Sequence, residues 1–196
     1  MLRLANAERI EMQPPDTFVE VAACRVREGQ FSVVVWLMLN GRVVQVMEID
    51  AEGESLAPFA DVVLDIDEDG IADLGVAIGK GRSGNGMRYW LMRERLLQLI
   101  DIGEAPMLSR SSCEPCTLWA LVSGSGEIKA TRVDYALIAG VLMQVRAIQL
   151  SPLPDGAYLA SILKRSETGS AVLEKDAVRF MSEQDVQDCM DGGPCD

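Results

Sequence analysis

The side chains best suited to chemistry in this chain of 196 residues are concentrated between Asp65 and Asp73. This segment reads D-x-D-x-D-G-x-x-D, with the two middle carboxylates at Asp67 and Asp69. Ca²⁺ takes six to eight oxygen ligands at about 2.3–2.6 Å from carboxylates, carbonyls and water. Alternating carboxylates converge on one point only if the backbone curls, and Gly70 permits that turn because glycine adopts positive φ readily. The spacing predicts a Ca²⁺ loop.

We expect the carboxylates of Asp65, Asp67 and Asp69, the carbonyl of Ile71, and Asp73 (directly or through water) to be the ligands. Four carboxylates within nine residues repel one another, and a cation removes that electrostatic cost. The competing interpretation is a solvated acidic turn. An EF-hand needs a bidentate Glu at position twelve, where this loop has Val76, and strand-like segments flank the loop. We therefore expect a structural ion between two strands.

Composition excludes several classes of function. The chain has no histidine, so it contains no Ser-His-Asp triad and no histidine-ligated zinc site. Its formal net charge of −12 argues against nucleic acid as a partner and favours cations or basic proteins. We do not expect an enzyme, although a hydrolase that uses two of the 30 acidic residues is a further alternative.

Short apolar segments separated by glycine-containing turns predict the fold. Residues 31–39 and 43–49 flank Asn40-Gly41, the strongest short-range signal for a β-hairpin. Further strands are predicted at 61–66, 74–78, 87–92, 118–123, 128–137, 141–150 and 157–163. Residues 93–100 fit a helix or a strand, and 182–190 fit a short helix capped by Ser182. The prediction is an all-β, antiparallel fold, propeller-like or sandwich, with a short C-terminal helix.

Three segments are expected along the chain. Residues 1–17 are predicted to be an irregular N-terminal segment, because Pro14-Pro15 breaks any helix begun before it. Residues 18–168 are predicted to form a single β domain. Residues 169–196, which are acidic and less periodic, are predicted to be a peripheral C-terminal extension.

The cysteines and the first residues bear on localisation. Cys189 and Cys195 are predicted to form a local disulfide, as are Cys113 and Cys116, whose C-x-x-C spacing also fits a redox motif; Cys24 is then left over. The first dozen residues lack the apolar run of a secretory signal, and no apolar stretch approaches the roughly 20 residues of a spanning helix. We expect either a cytoplasmic protein or a periplasmic one given without its leader.

The order of several features resembles one known family. Gly41 to Gln45 follow the hairpin turn; then come the acidic loop, the pair Tyr89-Trp90, and a Ser-Gly-rich loop at 123–126 before a strand carrying Tyr135. Over about residues 30–150 this series resembles Gram-negative periplasmic calcium-loop proteins with an all-β, propeller-like fold. Members are related to lysozyme inhibitors, and some are immunity proteins against cell-wall-degrading effectors delivered by type IV or type VI secretion.

The resemblance implies inhibition by binding, in which a loop fills the active-site groove of a peptidoglycan-degrading effector. Candidates for that loop are Ser123, Gly124, Ser125, Gly126 and Glu127, with the turn at 81–88 as second choice. The alternative function is a calcium-stabilised adhesion or carbohydrate-binding module that has no enzyme target.

Overall fold

The computed structural model describes residues 3–12, 15–53, 59–79, 86–111, 117–124, 126–165 and 173–195. A 3₁₀ turn spans Glu94–Leu96, and the helix α1 spans Glu183–Met190. The strands are β1 (Arg3–Met12), β2 (Thr17–Arg27), β3 (Gln30–Leu39), β4 (Arg42–Glu52), β5 (Ala60–Asp61), β6 (Leu74–Ala77), β7 (Gly86–Arg93), β8 (Gln98–Pro106), β9 (Ser109–Arg110), β10 (Leu118–Ser123), β11 (Ala130–Ile138), β12 (Val141–Pro152), β13 (Tyr158–Arg165) and β14 (Leu173–Met181).

These strands form three antiparallel sheets, as far as the described residues go, and the chain divides into two compact units. Unit 1 (Met1–Met107) contains sheet A, in the order β1-β2-β3-β4, and sheet B, in the order β5-β6-β7-β8. Unit 2 (Leu108–Asp196) contains sheet C, in the order β14-β13-β12-β11-β10-β9. The prediction of an antiparallel all-β fold with a short C-terminal helix is confirmed.

The core of unit 1 lies between sheets A and B. Alternate residues of β2 and β3 are apolar and fully buried, as the period of two in a strand requires when one face packs inward. Burying such side chains stabilises the fold by about 1.5–3 kcal/mol each. Members from the two sheets include Val19, Val21, Val33, Val35, Leu37, Leu74, Val76, Trp90 and Met92.

The hairpin predicted at Asn40-Gly41 is present. Leu39 pairs with Arg42, and both turn residues have positive φ, 50° at Asn40 and 73° at Gly41. A two-residue turn of this kind matches the twist of the strands that it joins. It fixes the register of β3 and β4 and so places Gln45 on the inward face.

The side chain of Gln45 joins β4 to the edge strand of sheet B. Its Nε2 donates to the carbonyl oxygen of Leu99 at 2.9 Å, and its Oε1 accepts from the backbone N–H of Leu99 at 2.8 Å. The side-chain amide thus makes the two hydrogen bonds that a neighbouring strand would make with Leu99. Gln45 lies in the segment that carries the family resemblance, and its structural role is to connect the two sheets.

Unit 2 is closed by the helix and the segment that follows it. Cys189 and Cys195 form a disulfide, as predicted, and both pack into the core on one face of sheet C. The buried Arg132 on β11 donates to the carbonyl oxygen of Gly193 at 2.9 Å and, through Nε, to Asp134 at 2.8 Å. Cys113 and Cys116 lie outside the described residues.

The helix begins where the sequence predicts. Ser182 is its N-cap, and Ser182 and Asp185 form a reciprocal capping box at the first turn.

Among the described cysteines, Cys24 is a free thiol, half-buried on β2.

Three predictions about segments are wrong. The N-terminal segment is not irregular, because β1 pairs with β2 along residues 3–12, and Pro15 lies in the turn just before β2. The C-terminal segment is not a peripheral extension, since β14 completes sheet C and α1 covers its core. The stretch 18–168 is not a single domain, because the boundary between the two units follows Met107.

Two strand assignments also change. The strand predicted at 61–66 is confined to β5, because residues 62–65 leave the sheet to begin the acidic loop. Residues 93–100, which fitted a helix or a strand, end β7, pass through the 3₁₀ turn and begin β8.

Replacing Gln45 by alanine should lower the free energy of unfolding by about 1–3 kcal/mol, because both backbone groups of Leu99 lose their partner. The control is Gln98→Ala, an exposed glutamine next to Leu99, expected within about 0.5 kcal/mol of the parent. Urea unfolding measures both. Equal effects of the two substitutions would contradict the role given to Gln45.

Candidate metal centre

The acidic loop is the connection between β5 and β6. Ala60 pairs with Val76 and Asp61 with Gly75, so the two ends of the loop are held side by side. The backbone N–H of Asp73 donates to the carbonyl oxygen of Leu64 at 2.7 Å, which closes the base of the loop. Residues 65–73 therefore form a nearly closed ring of backbone.

Local hydrogen bonds curl this ring inward. The two carboxylate oxygens of Asp65 accept from the backbone N–H groups of Asp69 (3.1 Å) and Gly70 (2.9 Å). Asp69 in turn accepts from the N–H of Ile71 at 2.9 Å. Gly70 has a φ of 87° with open space where a Cβ would lie, so the conformation and not crowding calls for glycine. Glu68 also has positive φ, 61°.

Asp73 connects the loop to sheet B. Its side chain is buried, and its two oxygens accept from the backbone N–H of Ile66 at 2.7 Å and of Met92 at 2.8 Å. Burial raises the pKa of Asp73 to about 6, more than these two hydrogen bonds lower it, and the nearby carboxylates of Asp67 and Asp69 raise it further. The fold thus disfavours the ionised form of Asp73 unless a cation lies nearby.

Three of the predicted ligands come together. Asp65, Asp67 and Asp73 each contribute one oxygen to a group in which all three atoms lie within 4.8 Å of one another. Asp67 Oδ1 is buried and has no hydrogen-bond donor, which is costly for a carboxylate oxygen. A divalent cation would satisfy this oxygen, so the residues present fit Ca²⁺. Asp69 lies outside the group of three. The N–H of Ile71 donates to Asp69 Oδ1, and its carbonyl oxygen remains a predicted ligand.

Arg93, at the end of β7, is the residue that sequence reasoning missed. Its Nη1 contacts Asp67 Oδ2 and lies 3.4 Å from Asp69 Oδ2, and the hydrogen bond to Asp67 holds the pKa of Arg93 above its usual value. Arg93 engages Oδ2 of Asp67 and leaves Oδ1 free of a donor. The five acids of residues 65–73 and Arg93 leave a charge of −4 when all are ionised. No local motif could reveal this contact, because Arg93 stands twenty-six positions beyond Asp67.

The residues predicted to bind a partner lie at the hairpin between β10 and β11. Ser123 ends β10, and Gly126 and Glu127 are exposed, whereas Ser125 lies outside the described residues. The N–H of Gly124 donates to the carbonyl oxygen of Lys129 at 3.3 Å. A Cβ at Gly124 would lie 1.9 Å from the carbonyl oxygen of Ile128, so only glycine fits this close approach. In the second-choice turn, residues 81–85 lie outside the described residues and Gly86 already begins β7.

With Ca²⁺ chelated, stability should fall as the pH rises from about 4 to about 6. The folded chain keeps the Asp73 proton to about pH 6, whereas the unfolded chain releases it near 3.8. In that window the folded state binds more protons, so raising the pH favours unfolding, by about 1–3 kcal/mol in total. Urea unfolding across this pH range measures the slope. The Asp73→Asn variant should lack the part of the slope that comes from Asp73. The same slope in both proteins would contradict the assignment of this titration to Asp73.

The described residues include no helix long and apolar enough to cross a bilayer.

No protein-family profile matches this sequence, and no curated protein matches it. Among solved structures, the chain is similar to a Xanthomonas protein described as type IV secretion system related. The two share 14% identity with a TM-score of 0.51, over 87% of this chain and 93% of the other. At that identity the likeness is one of fold.

Proposed function

We propose that this chain is a periplasmic, Ca²⁺-binding immunity protein that inhibits a secreted, lysozyme-like peptidoglycan-degrading effector. It blocks the active site of the effector and turns over no substrate. The observation that carries the proposal is the likeness of fold to the type IV secretion related protein, which extends over 87% of the chain. The features below support it from the chain itself.

The acidic loop supplies rigidity. An ion held by Asp65, Asp67 and Asp73 would offset their repulsion and satisfy Asp67 Oδ1. Because Asp73 also accepts from Met92 on β7, the ion would stiffen sheet B as well as the loop. A preorganised framework loses less entropy when it docks, and so binds more tightly. The metal therefore has a structural role in this proposal.

Inhibition requires only that the groove of the effector be filled. Lysozyme-like enzymes cleave between two carboxyl groups that flank the scissile bond, and a protein segment in that space excludes the glycan. The β10–β11 tip carries the exposed Glu127 and is shaped by the close approach at Gly124. A net charge of −12 speeds encounter with a basic enzyme.

The disulfide bears on where the protein works. Cys189–Cys195 lies in the core of unit 2, and disulfides persist in oxidising compartments such as the periplasm. Peptidoglycan lies in the same compartment, so an inhibitor of its hydrolysis would meet its target there.

Adding about 1 mM Ca²⁺ to metal-free protein should raise Tm by several degrees, because an ion that binds only the folded state stabilises it by about 2.7 kcal/mol at 100 times its Kd. The Asp67→Ala, Asp69→Ala double variant should lose this response. Asp176→Ala, an exposed acid on β14, is the control and should keep it. Differential scanning calorimetry measures all three. An unchanged Tm of the parent with Ca²⁺ would remove the metal from the proposal.

Gly124→Ala should weaken inhibition of a muramidase at least about tenfold, because the added Cβ reshapes the tip of the β10–β11 hairpin. The probe is purified egg-white lysozyme, and the readout is clearing of a peptidoglycan suspension. Gly140→Ala is the control for strain in a turn away from the tip, since its φ of 79° disfavours alanine although no atom lies within 4 Å of an added Cβ. A parent protein that leaves the lysozyme fully active overturns the muramidase assignment, and equal inhibition by both variants overturns the role of the tip.

A further inference from the structure

The outer face of sheet A carries an apolar patch that the core does not use. The register of β2, β3 and β4 places Phe18, Met38 and Val43 side by side in one row. The neighbouring row contains Trp36 and Val46, with Glu20 at its β2 end. Alternation puts both rows on the face opposite Val19, Val21 and Leu37, which fill the core. We call these five apolar residues the Trp36 patch.

The patch is open to solvent on its β4 side. Val43 is 51% exposed and Val46 is 56% exposed, while Trp36 and Met38 are half-buried. Phe18 is covered by the guanidinium of Arg9, which lies 3.4 Å from the centroid of the ring. Apolar residues that alternate with buried ones on a strand usually face a second layer, and clusters of this kind mark interaction surfaces.

Acidic side chains surround the patch. Glu11, next to Phe18 on β1, and Glu20 lie toward the β1 side, and Glu48 and Asp50 continue the same face along β4. Glu48 accepts from the hydroxyl of Ser32 at 2.6 Å, and Glu20 lies 4.0 Å from Arg9. Four acids and one arginine give this face a charge of −3. The net charge of the rim is therefore negative.

The sign of the rim decides between possible occupants. A second copy of this chain would set acids against acids, which opposes pairing. Nucleic acid and anionic membrane surfaces carry the same sign as the rim and are opposed in the same way. A basic protein with an exposed apolar group matches both the centre and the rim.

We propose that the Trp36 patch is a docking surface for the basic effector, in addition to the β10–β11 tip. This rests on the proposed function, and it names a part of the interface that the tip does not provide. A partly buried tryptophan surrounded by aliphatic side chains has the composition of an energetic centre of an interface. Acids around it steer a basic partner and fix its orientation.

The experiment compares three single substitutions at exposed valines. Val46→Arg places a positive charge in the patch, and Val46→Glu places a negative one at the same position. Val26→Arg is the control, because Val26 is 57% exposed on β2 and lies away from the patch rows. Both positions tolerate the change in the folded chain because they face water. Thermal unfolding checks this.

Binding of purified egg-white lysozyme is measured by titration calorimetry for each protein. We expect Val46→Arg to weaken the affinity at least about tenfold, Val46→Glu to weaken it less, and Val26→Arg to leave it within about twofold of the parent. Equal affinities of all three variants would overturn the patch while the proposed function stands. Val46→Glu as damaging as Val46→Arg would overturn the assignment of a basic partner.

Measurements on the parent protein distinguish failure of this docking surface from failure of the proposed function. Failure of the parent to bind lysozyme in calorimetry would defeat the proposed function, and the docking surface with it. Dimers of the parent that dissociate on Val46→Arg, detected by analytical ultracentrifugation, would assign the patch to a second copy of this chain.

Discussion

Like charges held close together are the constraint that shapes unit 1. The buried carboxylate of Asp73 accepts from Ile66 within the loop and from Met92 on β7, so it binds the loop to the sheet. The same position brings it near Asp65 and Asp67, and the charges of Asp67 and Asp69 oppose its ionisation. Arg93 offsets part of that repulsion from the far end of β7. A positive charge near these carboxylates therefore stabilises the folded geometry of the loop.

Local signals were enough to predict much of the fold. The Asn40-Gly41 turn, the glycine at position 70, the Ser182 cap and the disulfide at Cys189 each depend on residues a few positions apart. Such features follow from backbone conformation and short-range hydrogen bonds, which a sequence displays directly. The sequence pattern was least informative where the partner of a residue lies far along the chain.

The parts that could not be predicted are those set by tertiary pairing. Half of the residues of β1 are polar or charged, and it becomes a strand because β2 offers it an edge. Arg93 reaches Asp67 only because β7 runs beside the loop, and the division into two units depends on which sheets share a core. At the candidate metal centre, the convergence of Asp65, Asp67 and Asp73 followed from the motif, whereas the absence of Asp69 from that group did not.

The bond between Gln45 and Leu99 has a consequence for solubility. Strands at the edge of a sheet present unpaired backbone groups, and these recruit strands from other molecules. At Leu99 both backbone groups on the outer edge of β8 are already taken by a side chain of β4. One glutamine thus blunts an edge at which β-aggregation could start.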